Sequence, residues 1–127
     1  MSFDFTEFKK RALKLEKMQA EYNSFISNFL LKLGIKALGY TKDNTPVDTG
    51  HLWEGWKLSS VKKEGRNLVI YLSNPVEYAA YVEYGHLTSN RSSWIDGQFM
   101  ATLAIDRVKQ QMPRKFESMF VEWVNSL

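Results

Sequence analysis

From Ser2 to Leu33 the chain contains neither proline nor glycine, and within that span Phe8, Leu15, Tyr22 and Phe29 recur every seven residues. Met18, Phe25, Ile26, Leu30 and Leu33 fill in beside that row, while Lys9, Lys10, Lys14, Glu16, Lys17 and Glu21 fall mostly off it. Apolar residues at this spacing share one face of an α-helix and would scatter over both faces of a strand. The pattern predicts a long amphipathic helix over residues 3–39, with Ser2 or Asp4 as its cap and Gly39 as its end. Phe25 to Leu38 reads as core packing. A helix of this length outruns so small a core, so Phe5 and Phe8, with Phe3, are expected to face a partner or a neighbouring subunit.

The rest of the chain is built from shorter pieces. Tyr40 to Gly50 is rich in turn formers, and Asp48-Thr49-Gly50 reads as a structural turn in which Gly50 permits a positive φ. His51 to Lys63 alternates in part and reads as a strand, with Gly55 marking a bulge or a close approach of another chain. Glu64 to Asn67 is a turn and Leu68 to Ser73 the return strand, giving a hairpin over 51–73. Asn74 to His86 reads as a packing hub, a short helix in which Tyr78, Tyr81 and Val82 share a face and which Gly85 stops. Residues 87–97 form a polar loop bearing Trp94 and Ile95. Helical spacing returns over 98–125, with Pro113 expected to kink that helix or to start a second one. The expected fold class is α+β: a long N-terminal helix, a small antiparallel sheet, and a C-terminal helix or kinked pair packed on it.

Composition narrows the function. At 127 residues the chain reads as one domain with one core. It has no cysteine, so no disulfide framework or thiolate metal site is available, which suits a reducing compartment. No apolar run approaches the length of a membrane span, and Met1 to Lys10 carries no signal-peptide core, so a soluble intracellular domain is expected. The 17 basic residues are interspersed with 14 acidic ones, too balanced for a dedicated nucleic-acid face.

Asp48, His51, Glu77, Glu83 and His86 are the residues from which a metal or acid–base site would have to be made. They carry neither a metal motif nor a nucleophile elbow, and both histidines stand beside glycine turns. The expectation is therefore no enzyme, no metal and no cofactor. The glycines are too scattered to cradle a phosphate. Lys57, Lys62, Lys63, Arg66 and Arg91, with Trp53, Trp56 and Trp94 nearby, define the alternative of a nucleic-acid-binding module. A solvated hairpin face accounts for the same cations.

Two stretches together carry a resemblance. Thr45-Pro46-Val47-Asp48-Thr49-Gly50-His51-Leu52, followed by Trp56, is similar to a TPVDTGxLxxSW signature of a siphophage tail-assembly family. Asn74-Pro75-Val76-Glu77-Tyr78-Ala79 through Tyr81-Val82-Glu83-Tyr84-Gly85-His86 resembles the same family's second segment. Trp94, Gly97, Phe99 and Met100 resemble the tryptophan, glycine and Phe-Met that come next in that family. One departure is that relatives often carry basic residues after Gly-His, where this chain has Leu87-Thr88-Ser89-Asn90. The resemblance implies a non-enzymatic head–tail joining or tail-completion protein of a long-tailed phage or prophage. It would assemble as a ring, a hexamer by this likeness, between the head connector and the tail tube or terminator. Its place would be the virion neck or tail, with the host cytoplasm as the site of assembly.

A ring subunit must present two different complementary surfaces, and aromatic residues anchor such contacts. Four tryptophans and an aromatic content of 14% exceed what one small core readily hides. Trp94 and Ile95, with Arg91, Tyr81, Tyr84 and His86, are the interface candidates, together with Phe5 and Phe8 on the first helix. The 87–97 loop is expected to be mobile in the free subunit and to dock through Trp94.

Overall fold

The computed structural model describes residues 6–47 and 50–127, without the side chains of Glu7 and Phe8. Phe3, Phe5, the Phe8 side chain, the caps Ser2 and Asp4, and the turn residues Asp48 and Thr49 lie outside the described residues. The class is α+β. Helix α1 spans Thr6–Asp43 and α4 spans Met100–Asn125. Between them come α2 (His51–Gly55), strands β1 (Lys57–Leu58), β2 (Lys62–Glu64), β3 (Asn67–Val69) and β4 (Leu72–Ser73), α3 (Ala79–Tyr84), and strands β5 (Gly85–Leu87) and β6 (Trp94–Asp96). The strands pair as three antiparallel two-stranded ladders, β1 with β4, β2 with β3, and β5 with β6.

Helices α1 and α4 run antiparallel along one seam. At one end Asn44 donates its side-chain N–H to the Met100 carbonyl at 3.2 Å. About a turn further in, Arg107 lies over the Tyr40 ring at 3.9 Å. At the far end Trp123 meets Tyr22 and Phe25, with ring centroids 5.7 and 5.4 Å apart. Phe29, Leu33, Ala37 and Val108 are buried along this seam, with Phe116 and Met119 closing over them. At 1.5 Å per residue α1 is about 57 Å long and α4 about 39 Å. The excess falls at the start of α1, where every residue from Lys9 to Ala20 is exposed. That is the projecting first half which the length of the stripe implies.

A second cluster, Leu52, Trp56, Ala79 and Met100, gathers the short elements at the other end of the seam. A ladder of hydroxyls builds it. Thr41, fully buried, donates to the Ala37 carbonyl at 2.7 Å, and Thr45 donates to the Thr41 carbonyl at 2.6 Å. The Trp56 indole N–H then donates to the Thr45 hydroxyl at 2.9 Å. Asn74 carries the link onward, donating to the Leu52 carbonyl at 2.8 Å and accepting from the Val76 amide at 3.1 Å. The two stretches that carry the family likeness therefore meet in one packing node. Thr45, Leu52, Trp56, Asn74 and Ala79 are the residues that join there.

Several elements differ from the sequence reading. His51 to Gly55 is helix, because the Glu54 amide turns back to the Gly50 carbonyl at 2.9 Å. The alternation there is too short to set the period, and burying Leu52 and Trp56 decides it. Gly55 is a close approach and no bulge: a Cβ there would sit 2.5 Å from Asn74 Oδ1. Helix α1 passes through Gly39 to Asp43, held by the threonine ladder. Helix α4 is continuous through Pro113, which stands on its exposed face, so water can reach the Lys109 carbonyl left without its amide partner.

Gly50 has a φ of 71° and nothing within 4 Å of where a Cβ would stand. A substitution there meets backbone strain alone. Gly50→Val is expected to lower stability by about 1–2 kcal/mol, and Gly50→Asn, which tolerates the left-handed region, by clearly less. Urea unfolding midpoints of the two variants check this. Equal midpoints for valine and wild type would mean that the turn is not held in that conformation.

Candidate functional site

Between α3 and α4 the chain folds out as a β-arm. The expected polar loop over 87–97 is in fact two strands and a tight tip. Gly85 pairs with Asp96, His86 with Ile95, and Leu87 with Trp94. At the tip the Thr88 amide donates to the Ser93 carbonyl at 2.9 Å and the Arg91 amide to the Thr88 carbonyl at 2.8 Å. Asn90 organises this turn, its Oδ1 accepting from the Thr88 hydroxyl at 2.7 Å, the Ser92 hydroxyl at 2.6 Å and the Ser92 amide at 3.1 Å. The small polar residues that read as a loop are those that satisfy the backbone of such a turn.

The base of the arm is fixed. Gly85 has a φ of 88°, and a Cβ on it would lie 2.6 Å from the Ile95 carbonyl oxygen. A Cβ on Gly97 would lie 2.8 Å from the Gly85 nitrogen, so the two strands leave the body back to back through two glycines. The Gln98 amide donates to the Val82 carbonyl at 2.7 Å and the Phe99 amide to the Glu83 carbonyl at 3.0 Å. Phe99 precedes α4 with a φ of 50° and supplies no side-chain cap. Glu83 supplies it from across the chain. Its buried carboxylate accepts from the Ala101 and Thr102 amides at 3.0 and 2.9 Å and from the Thr102 hydroxyl at 2.7 Å. A carboxylate at a helix N-terminus satisfies orphan amides and meets the positive end of the helix dipole.

Side chains alternate across the arm. Leu87, Trp94 and Asp96 share one face; His86 and Ile95 share the other, where His86 lies 5.6 Å from the Tyr81 ring. Both faces are open: Trp94 is 56% exposed, Leu87 54% and Ile95 48%. Trp94 does not fold back onto Tyr81 and Tyr84; the edge of its indole lies over Gly85, 2.8 Å from where a Cβ there would stand. The tyrosines of the hub do not pack inward, which leaves Tyr81 and Tyr84 available as interface candidates. Tyr78, Tyr81 and Tyr84 point outward, and Ala79 and Glu83 are the buried residues of α3. Burying a large apolar side chain is worth about 1.5–3 kcal/mol, so an arm with three such groups in water gains from a partner. Arg91 stands exposed at its tip, with a φ of 56°.

The other candidate residues do not converge. Among the described residues no three His, Asp or Glu side chains come together in a way that would hold a metal ion. Glu83 is taken up by α4 and His86 by the arm. Lys57, Lys62, Lys63 and Arg66 lie on the β1–β4 and β2–β3 ladders, and Arg91 is on the arm. A hydrogen bond with Gln111 lowers the pKa of Tyr40, one with Glu64 raises that of Tyr71, and contact with Lys36 lowers that of Lys115. Among the described residues no helix is long and apolar enough to cross a membrane.

The described residues thus form a body tied by hydrogen-bond ladders, with an apolar arm held out from it. Residues 7–85 match the HK97-gp10-like family, described as a tail component of the bacteriophage HK97-gp10 type. That is more than half of the chain, and the chain belongs to this family of phage tail components. The match runs from α1 to the first residue of β5, leaving the rest of the arm and α4 outside it. No curated protein and no solved structure gives a significant match.

Sequence reasoning missed Glu83 as a cap, since its partners lie about eighteen residues on and no local pattern joins them. The arm had a signal: Leu87 and Trp94 flank a run of Thr, Ser, Asn and Arg, between glycines at 85 and 97. Removing the Glu83 carboxylate strands two amides and a hydroxyl. Glu83→Ala is expected to cost about 2–3 kcal/mol and to speed amide exchange at Ala101 and Thr102, and Glu83→Gln to do less of both. Unfolding and exchange measurements on the two variants check this.

Proposed function

We propose that this tail component is the head–tail joining or tail-completion subunit of a long-tailed phage or prophage, non-enzymatic and working as a ring. The exposed two-faced arm carries this reading. An exposed apolar projection is a poor feature for an isolated monomer and a good one for a subunit that must lock onto a neighbour. Its neighbours are other copies, with a hexamer as the expected ring, and the neck connector and tail-tube or terminator proteins above and below. The family membership supports a place in the virion tail, and the likeness of the Pro-Val-Asp-Thr-Gly and Tyr-Gly-His stretches supports the neck position. The projecting first half of α1, with Leu13 and Leu15 each 65% exposed, is a second surface for such contacts.

Trp94 makes the test clean because its side chain is largely in water before assembly. Trp94→Ala is expected to leave the unfolding free energy of the chain within about 0.5 kcal/mol of wild type. In infected or induced cells the same variant is expected to yield heads and tails that do not join, or tails of aberrant length. Normal particle yield from the variant would sink the reading.

A further inference from the structure

We propose that the arm's receptor is a groove on the next copy of the chain, formed by α1, the β2–β3 hairpin and the middle of α4. This contact rests on the ring proposed above and would be the one that closes it.

The groove has a volume of about 920 Å³. Ile26, Leu30 and Leu33 of α1, Val69 of β3 and Met112 of α4 give it an apolar floor, and Lys63 and Arg66 of the hairpin stand on its border. The arm offers the complement on a single face: Leu87 and Trp94 are apolar, and Asp96, two residues from Trp94, is acidic and exposed. Apolar surface then meets apolar surface, and the carboxylate of one copy meets two cations of the next. A groove on the other flank of the α1–α4 pair fits less well. It lacks the wall of the β2–β3 hairpin with Lys63 and Arg66.

The placement of arm and groove also suits a ring. The arm leaves the body beside Met100, whereas the groove meets α4 at Met112, about 18 Å further along that helix. It then follows α1 back from Leu33 to Gln19. Donor and acceptor thus occupy different parts of the surface, so each copy can give its arm to one neighbour and receive one from another. Such head-to-tail contacts close into a ring when the rotation between copies divides a full turn.

The test uses the full chain in assembled tails and in concentrated solution. The chain has no native cysteine, so Ser93→Cys on the arm and Asn67→Cys beside the groove make a double variant whose only disulfides are new ones. Under mild oxidation, a ladder of covalent multimers ending at the ring size is expected, and neither single variant should give that ladder. Asp96→Lys alone, and Lys63→Glu with Arg66→Glu, are each expected to weaken self-association at least about tenfold, and the three changes together to restore it.

A ring that forms without cross-links and ignores the charge changes would overturn this contact while leaving the ring reading intact. Cross-linking of Asn67→Cys to a different tail protein would also overturn it. A chain present as a single copy per tail, and monomeric at every concentration, would overturn the ring reading and this contact together.

Discussion

The buried carboxylate of Glu83 is the interaction on which the arrangement depends. Helix α4 begins at a residue with left-handed backbone and no cap of its own, so its first amides need an acceptor from elsewhere. Glu83 provides it from the last turn of α3, just before the chain enters the arm's base glycine. Three hydrogen bonds to one ionised group are worth more than the same bonds to a neutral acceptor, and a carboxylate this deeply buried is stable only while all of them are made. The same group therefore sets where α4 starts, how α3 lies against it, and at what angle the arm leaves.

The body around that point is closed by short-range polar ladders feeding apolar contacts. Thr41, Thr45 and Trp56 continue the end of α1 into the segment beyond it, and Asn74 ties that segment to α3. These bonds are internal to the chain. What stays exposed is apolar area: the two faces of the arm, the outward tyrosines of α3 and the stretch of α1 from Lys9 to Ala20.

The long elements are legible in the sequence because the seven-residue recurrence in α1 and the apolar spacing in α4 extend over many turns. The clustering of turn formers around Gly50 is legible for a local reason. The short elements are not. His51 to Gly55 is helical because burying Leu52 and Trp56 outweighs a weak alternation, and the tyrosines of α3 face out because Ala79 and Glu83 fit the space against α4. The arm's pairing depends on non-local contacts between Gly85 and Gly97. Of the candidate interface residues, Trp94, Ile95, Arg91 and His86 come together on the arm with Tyr81 beside them, whereas Tyr84 lies on α3.

Hydroxyl-radical footprinting of Trp94 in the free chain and in purified tails tests most directly the central claim, that the arm is a preformed contact element. Ready oxidation of Trp94 is predicted in the free chain and strong protection in tails, with the buried Trp56 protected in both. Equal oxidation of Trp94 in the two states would contradict it.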